Sequence, residues 1–203
     1  MMHGGWATPS RWGIKGTEDP GSGYKVGFKL ESGLNADDGS LKFDDRLFGC
    51  EAGLTLYGPF GSIAFGRFGG IISSLAGTYD LLAYVDAFDG GDGDIWGLAA
   101  SSHYDNMAVY QTPRAAGLQL TAQYSFKTDS KASDSDAKRR TSLGLCGEYG
   151  PAQFAVGCEL TKYGASEAGG RQLENDDHLI FIGGSYDFEV VKVFAEAQFF
   201  KGQ

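Results

Sequence analysis

The residues able to do chemistry in this 203-residue chain fall into two groups by spacing. In the first, cations alternate with glycines near the N-terminus: Arg11, Gly13, Lys15, then Lys25, Gly27, Lys29 and Glu31. Trp12, Ile14, Tyr24, Val26, Phe28 and Leu30 hold the positions between them. A spacing of two puts the charges on one face of a β-hairpin and the large apolar residues on the other. The second group is a run of aspartates, DAFDGGDGD at 86–94, inside a long Gly- and Asp-rich segment, 69–103. Such acids could hold a cation weakly, but the twelfth-position Glu of an EF-hand is missing.

No other cluster points to catalysis or metal binding. Cys50, Cys146 and Cys158 lack CxxC spacing and a neighbouring histidine cluster, and their odd number argues against a disulfide framework. His3, His103 and His178 are scattered. The acid pairs Asp37/Asp38, Asp44/Asp45 and Asp176/Asp177 fall in polar loops, where adjacent acids usually mean solvation. There is no GxSxG and no P-loop. No enzyme, metal or cofactor is expected.

The elements that position these residues are strands. Alternation predicts them at 11–17, 24–33, 46–57, 61–68, 104–112, from 118, at 178–186 and at about 190–200. A further hairpin is centred on Gly150–Pro151. It sets Leu145 opposite Val156, Gly147 opposite Phe154 and Leu143 opposite Cys158 on the apolar face. Glu148 then faces Gln153 and Cys146 faces Ala155 on the polar one. Cys146 and Cys158 are thereby separated, so no disulfide joins them. Residues 71–87 could hold a short helix. High Gly (32) and aromatic (13%) content with only 5 Pro suits many strands and tight turns.

Two homes suit a sheet that is apolar on one side and charged on the other: the cover of a soluble core, or a barrel with lipid outside and water inside. Mean hydropathy is negative and no apolar run approaches a membrane helix, but neither fact excludes a β-barrel. Two features favour the barrel. Connections alternate short and long: 18–23, 34–45, 58–60, 69–103. Tyr57, Tyr110, Tyr149 and Tyr186 stand near strand ends, where an interfacial girdle on the apolar face is expected. A formal net charge of −9 disfavours a nucleic-acid partner. The N-terminus lacks the basic and apolar regions of a signal peptide.

Residues 10–37, SRWGIKGTEDPGSGYKVGFKLESGLNAD, followed by RLFGCEAGLTLYGPFGSIAFGR at 46–67, resemble the Gram-negative trimeric general porins of the neisserial and β-proteobacterial type. That family carries S-R-x-G-x-K-G-x-E-D-L-G-x-G and later G-x-F-G-x-x-x-x-G-R. DNMAVYQTPRAAGLQLTAQYSF at 105–126 is similar to a third family block. The resemblance implies an all-β, antiparallel up-and-down outer-membrane β-barrel of about sixteen strands, trimeric, passing small hydrophilic solutes and ions passively. Here it would be a single domain, a partial, open barrel of about ten strands, an internal fragment without export signal or closing strands.

The resemblance also assigns site residues. Residues 69–103 take the place of the loop that narrows the pore, with Asp80, Asp86, Asp89, Asp92 and Asp94 as its acidic side. Arg11, Lys15, Lys25, Lys29, Arg46 and Arg67 become the basic pore wall. A transverse field between them would orient dipolar solutes and set charge preference. The chain departs from the family at Cys50, His103 and Val109, which stand at or near positions commonly basic, so the ladder is thinner. Cation preference is then at least as well supported as anion preference. A structural or adhesive β-protein is the alternative from another class.

Overall fold

The alternation becomes strands wherever both faces can be used. The computed structural model describes residues 10–43, 46–79, 103–128, 138–163 and 176–201. They form β1 (Ser10–Gly21), β2 (Tyr24–Leu34), β3 (Glu51–Gly58), β4 (Gly61–Gly69), α1 (Ile71–Tyr79), β5 (His103–Gln111), β6 (Leu118–Ser125), β7 (Arg139–Tyr149), β8 (Ala152–Lys162), β9 (Asp177–Asp187) and β10 (Lys192–Lys201). The strands make one ten-stranded sheet in chain order, each antiparallel to the next. The sheet does not close: among the described residues β1 and β10 are each paired on one side only.

Turn chemistry explains the short rim. Between β1 and β2, Ser22 (φ 57°) and Gly23 (φ 80°) both adopt positive φ, as a two-residue hairpin that follows the strand twist requires. This turn is shorter than the expected 18–23. β1 continues to Gly21, with an irregularity between Glu18 and Gly21 that accommodates Pro20, which cannot donate to the ladder. Strand three also differs from expectation. It starts at Glu51, not Arg46, because the preceding residues fold back as a loop around Phe43, whose ring fills the space a side chain would need at Gly33 and Gly49. The β7–β8 register is the one expected, Leu145 opposite Val156 and Cys146 opposite Ala155.

The two faces are now distinct. Trp12, Ile14, Phe28, Leu54, Leu56, Phe65, Tyr110, Leu120, Leu143, Val156, Ile180, Ile182, Val193 and Phe199 share one face and are 39–59% exposed. A soluble domain buries such residues, and a contiguous bare apolar face of this breadth is a lipid face. Tyr110, Tyr149 and Tyr186 lie on it, as expected. Tyr57 does not. It pairs with Lys25 and its ring lies over Gly27, so it stands on the polar face, one residue out of phase with Leu54 and Leu56. Tyr24, close to the Phe60 ring at 6.4 Å, fills that part of the girdle.

Among the described residues the polar face carries one apolar cluster. There α1 lies across β7–β10. Ile71, Ile72 and Leu75 pack on Ala155, Leu179 and Phe181, with Cys146 and Phe194 at the margin, and Ala155 and Phe181 are fully buried at 0% exposure. This small cluster is the dry core of the described chain.

Candidate functional site

The face opposite the lipid side carries the candidate site. On β1 and β2, Arg11, Lys15, Lys25 and Lys29 all point to it, as the alternation requires. Lys15 stands directly opposite Lys29, a like-charge pairing that is unfavourable by itself. It is offset by two acids. Lys29 Nζ lies 2.6 Å from Glu51 Oε2 and 3.3 Å from Glu31 Oε2, and Arg11 Nη1 lies 3.3 Å from Glu31 Oε1. Lys25 is 3.7 Å from Asp19. These water-facing pairs contribute about 0–1 kcal/mol each, too little for them to be chiefly structural. The wall is therefore interleaved, with acids standing among the bases. Glu31 and Glu51 share the parity of Lys29 and pair directly with each other, which the two-residue alternation could have revealed.

Arg46 and Arg67 converge on one acid. A bulge in β4–β5 sets Arg67 against Asp105 and Asn106, since Gly66 pairs with Met107 and Phe68 with Tyr104. Gly66 takes φ 143° there, and a Cβ would strike the Ala52 carbonyl at 2.1 Å. Asp105 then accepts from Arg46 Nη1 and from Arg67 Nη1, each at 2.7 Å. Arg67 Nε donates to the Gly49 carbonyl at 2.7 Å. The three side chains are 17%, 15% and 6% exposed for Arg46, Arg67 and Asp105. Two of the six expected wall cations thus tie the loop before β3 to the start of β5. Sequence reasoning missed Asp105, because the bulge that brings it to Arg67 has no periodic signature.

Across the sheet, Arg140 Nη1 donates to Glu159 Oε1 at 2.7 Å, and Ser142 Oγ donates to Glu159 Oε2 at 2.9 Å. The Arg140 guanidinium lies 4.3 Å from the Tyr104 ring centroid. Neither residue was singled out from sequence. Cys50 is 1% exposed, and burial, then Glu31, pushes its thiol pKa up. Val109 does face the polar side, opposite Gln123, and His103 lies 5.8 Å from the Phe43 ring. All three cysteines are free, and Cys158 lies on the lipid face. Asp80, Asp86, Asp89, Asp92 and Asp94 lie outside the described residues, and α1 is the described beginning of the segment that bears them.

What this arrangement can do is hold water and charge against one face while lipid covers the other. A family model described as Gram-negative porin matches residues 2–203. An outer membrane porin protein of Bordetella pertussis is 35% identical over 207 residues, covering 95% of this chain and 52% of the relative. Outer membrane porin protein 32 of Delftia acidovorans is 30% identical over 199 residues, covering 92% of this chain and 53% of its own length. The chain thus spans about half the length of the curated relatives it matches. Among solved structures, an anion-selective porin from Comamonas acidovorans superposes with TM-score 0.74 at 28% identity, over 97% of this chain and 59% of that one. OmpF of Salmonella typhi, at 18% identity and TM-score 0.65 over 95% of this chain and 58% of that one, shares the fold.

Proposed function

The chain belongs to the Gram-negative porins of the outer membrane, and on that premise we propose that it acts as a water-filled channel for passive diffusion of small hydrophilic solutes and ions. The observation that carries this reading is the division of one sheet into a bare apolar face and a charged face that also holds α1. In the working protein the apolar face meets outer-membrane lipid and three copies associate. In this reading residues 69–103 narrow the passage, and their aspartates supply its acidic side. Flow is uncoupled from any reaction or energy source.

Charge preference follows from the interleaving. Arg11 and Lys29 are held by Glu31 and Glu51, so the excess positive charge presented to water is smaller than the four cations suggest. A weakly selective channel results. Reconstitution of the full-length protein in planar bilayers should give stepwise conductance with a small reversal potential in a salt gradient. A folded product that passes no current overturns the reading.

A further inference from the structure

The start of α1 is held against the polar face by more than its apolar contacts. The described residues hold it at two points. The first is Gln123, on β6 and 9% exposed. Its Oε1 accepts from the Ile71 amide at 2.8 Å, and its Nε2 donates to the Gly69 carbonyl at 3.1 Å. One side chain therefore satisfies the last carbonyl of β4 and one of the otherwise orphaned amides at the start of α1. Val109 and Ser142 flank Gln123 across the ladder, so its polar end has this one direction to serve. The second point is a socket. Gly144 and Gly157 pair directly across β7–β8, and Ile71 and Ile72 enter the dent they leave. A Cβ at Gly144 would lie 2.3 Å from Ile71 Cδ1, and one at Gly157 would lie 2.4 Å from Ile72 Cδ1. Ala155 and Phe181 floor the same patch.

We infer that Gln123 is a positioning residue of the channel: it fixes where α1 leaves the end of β4, and with the Gly144–Gly157 socket it seats α1 against the polar face. The inference rests on the channel reading only for its consequence on conductance. The clamp itself is local and separately measurable. Gln123→Leu removes both hydrogen bonds at similar volume. Gln123→Glu keeps the acceptor for the Ile71 amide and loses the donor to Gly69. Gly157→Val fills the socket and leaves the hydrogen bonds alone.

The test uses the full-length protein, with hydrogen exchange in detergent beside single-channel recording. Exchange at the amides of residues 71–75 should rise by roughly tenfold or more in Gln123→Leu, with β6 and β7 unchanged. Gln123→Glu should fall between it and wild type. Gly157→Val should reproduce the local acceleration from an independent lesion. Channels of both Gln123→Leu and Gly157→Val should flicker between conductance levels that wild type lacks. Wild-type exchange at 71–75 in Gln123→Leu overturns the inference, as does acceleration spread evenly through the strands. A wild-type protein that folds without conducting overturns the channel reading and the consequence for conductance together, while exchange still decides the clamp.

Discussion

Asp105 is the residue whose loss the structure makes most costly. Its carboxylate accepts from two guanidiniums, each at 2.7 Å, and all three side chains are well below one-third exposed, so solvent screening discounts little. A hydrogen bond to a charged group contributes about 1.5–3 kcal/mol. Asp105→Ala removes both bonds and leaves two partly buried guanidiniums facing each other without their shared acid, although Arg67 keeps its bond to Gly49, so a loss of about 3 kcal/mol is expected. Asp105→Asn keeps the shape and one acceptor oxygen, so roughly half that loss is expected. The assay is urea unfolding of the full-length protein in detergent, followed by tryptophan fluorescence. A loss under about 1 kcal/mol for Asp105→Ala would refute the assignment of these arginines to a structural pin. Adding Arg67→Met to Asp105→Ala should return part of the stability by removing one stranded cation. No coupling between the two substitutions would refute the same reasoning by another route.

Three further outcomes follow from the faces. Leu54→Arg places a cation towards lipid and should destabilise the folded protein by about 2–4 kcal/mol at mid-membrane depth, whereas Thr55→Arg, on the wet face, should cost far less; equal costs would put the faces in doubt. Glu51→Gln frees Lys29 from its 2.6 Å partner and should move the reversal potential towards anion preference, which an unchanged potential would contradict. Cys50, with its thiol pKa raised by burial, stays protonated to higher pH than an ordinary thiol, so its alkylation should run at least about tenfold slower in the folded than in the urea-unfolded protein and accelerate only above the usual thiol range. Equal rates in the two states would count against the buried placement.

Much of this fold was legible because its information is local. The β7–β8 register could be read from alternation centred on Gly150–Pro151, since a one-residue slip would have turned Leu145 and Val156 from lipid to water. That Arg11, Lys15, Lys25 and Lys29 share the polar face came from the same period. What alternation could not give was anything that breaks it. Tyr57 was placed a residue out of phase, and strand three was begun too early, because residues 46–50 look like strand but pack around Phe43. The Arg46–Asp105–Arg67 pin depends on a bulge, and Arg140–Glu159 joins strands through side chains whose types suit any solvated wall. The family resemblance supplied what periodicity could not, the outer-membrane setting, and the pairing of Arg46 and Arg67 with Asp105 adds a contact that neither periodicity nor resemblance gave.

The position of α1 gives the site its asymmetry. Leu179, Phe181, Phe194 and Phe200 occupy the parity that carries charge on β1 and β2, so the polar face of this sheet is divided between a wet wall at β1–β3 and a dry bed at β7–β10. Strands buried on both faces read as nearly continuous apolar runs, and β9, with HLIFIGG, has that character where β2, with YKVGFKLE, alternates. The described part of that segment, α1, leans on the dry bed, away from the interleaved charges of Arg11, Lys15, Lys29, Glu31 and Glu51. On the channel reading, selectivity then belongs to β1–β3 and the seating of α1 to Gln123 and the glycine socket. Substitutions in the two regions should therefore separate, the first changing reversal potential and the second changing conductance and flicker. A Gln123 variant that shifted reversal potential as strongly as Glu51→Gln would argue that the two functions share one surface.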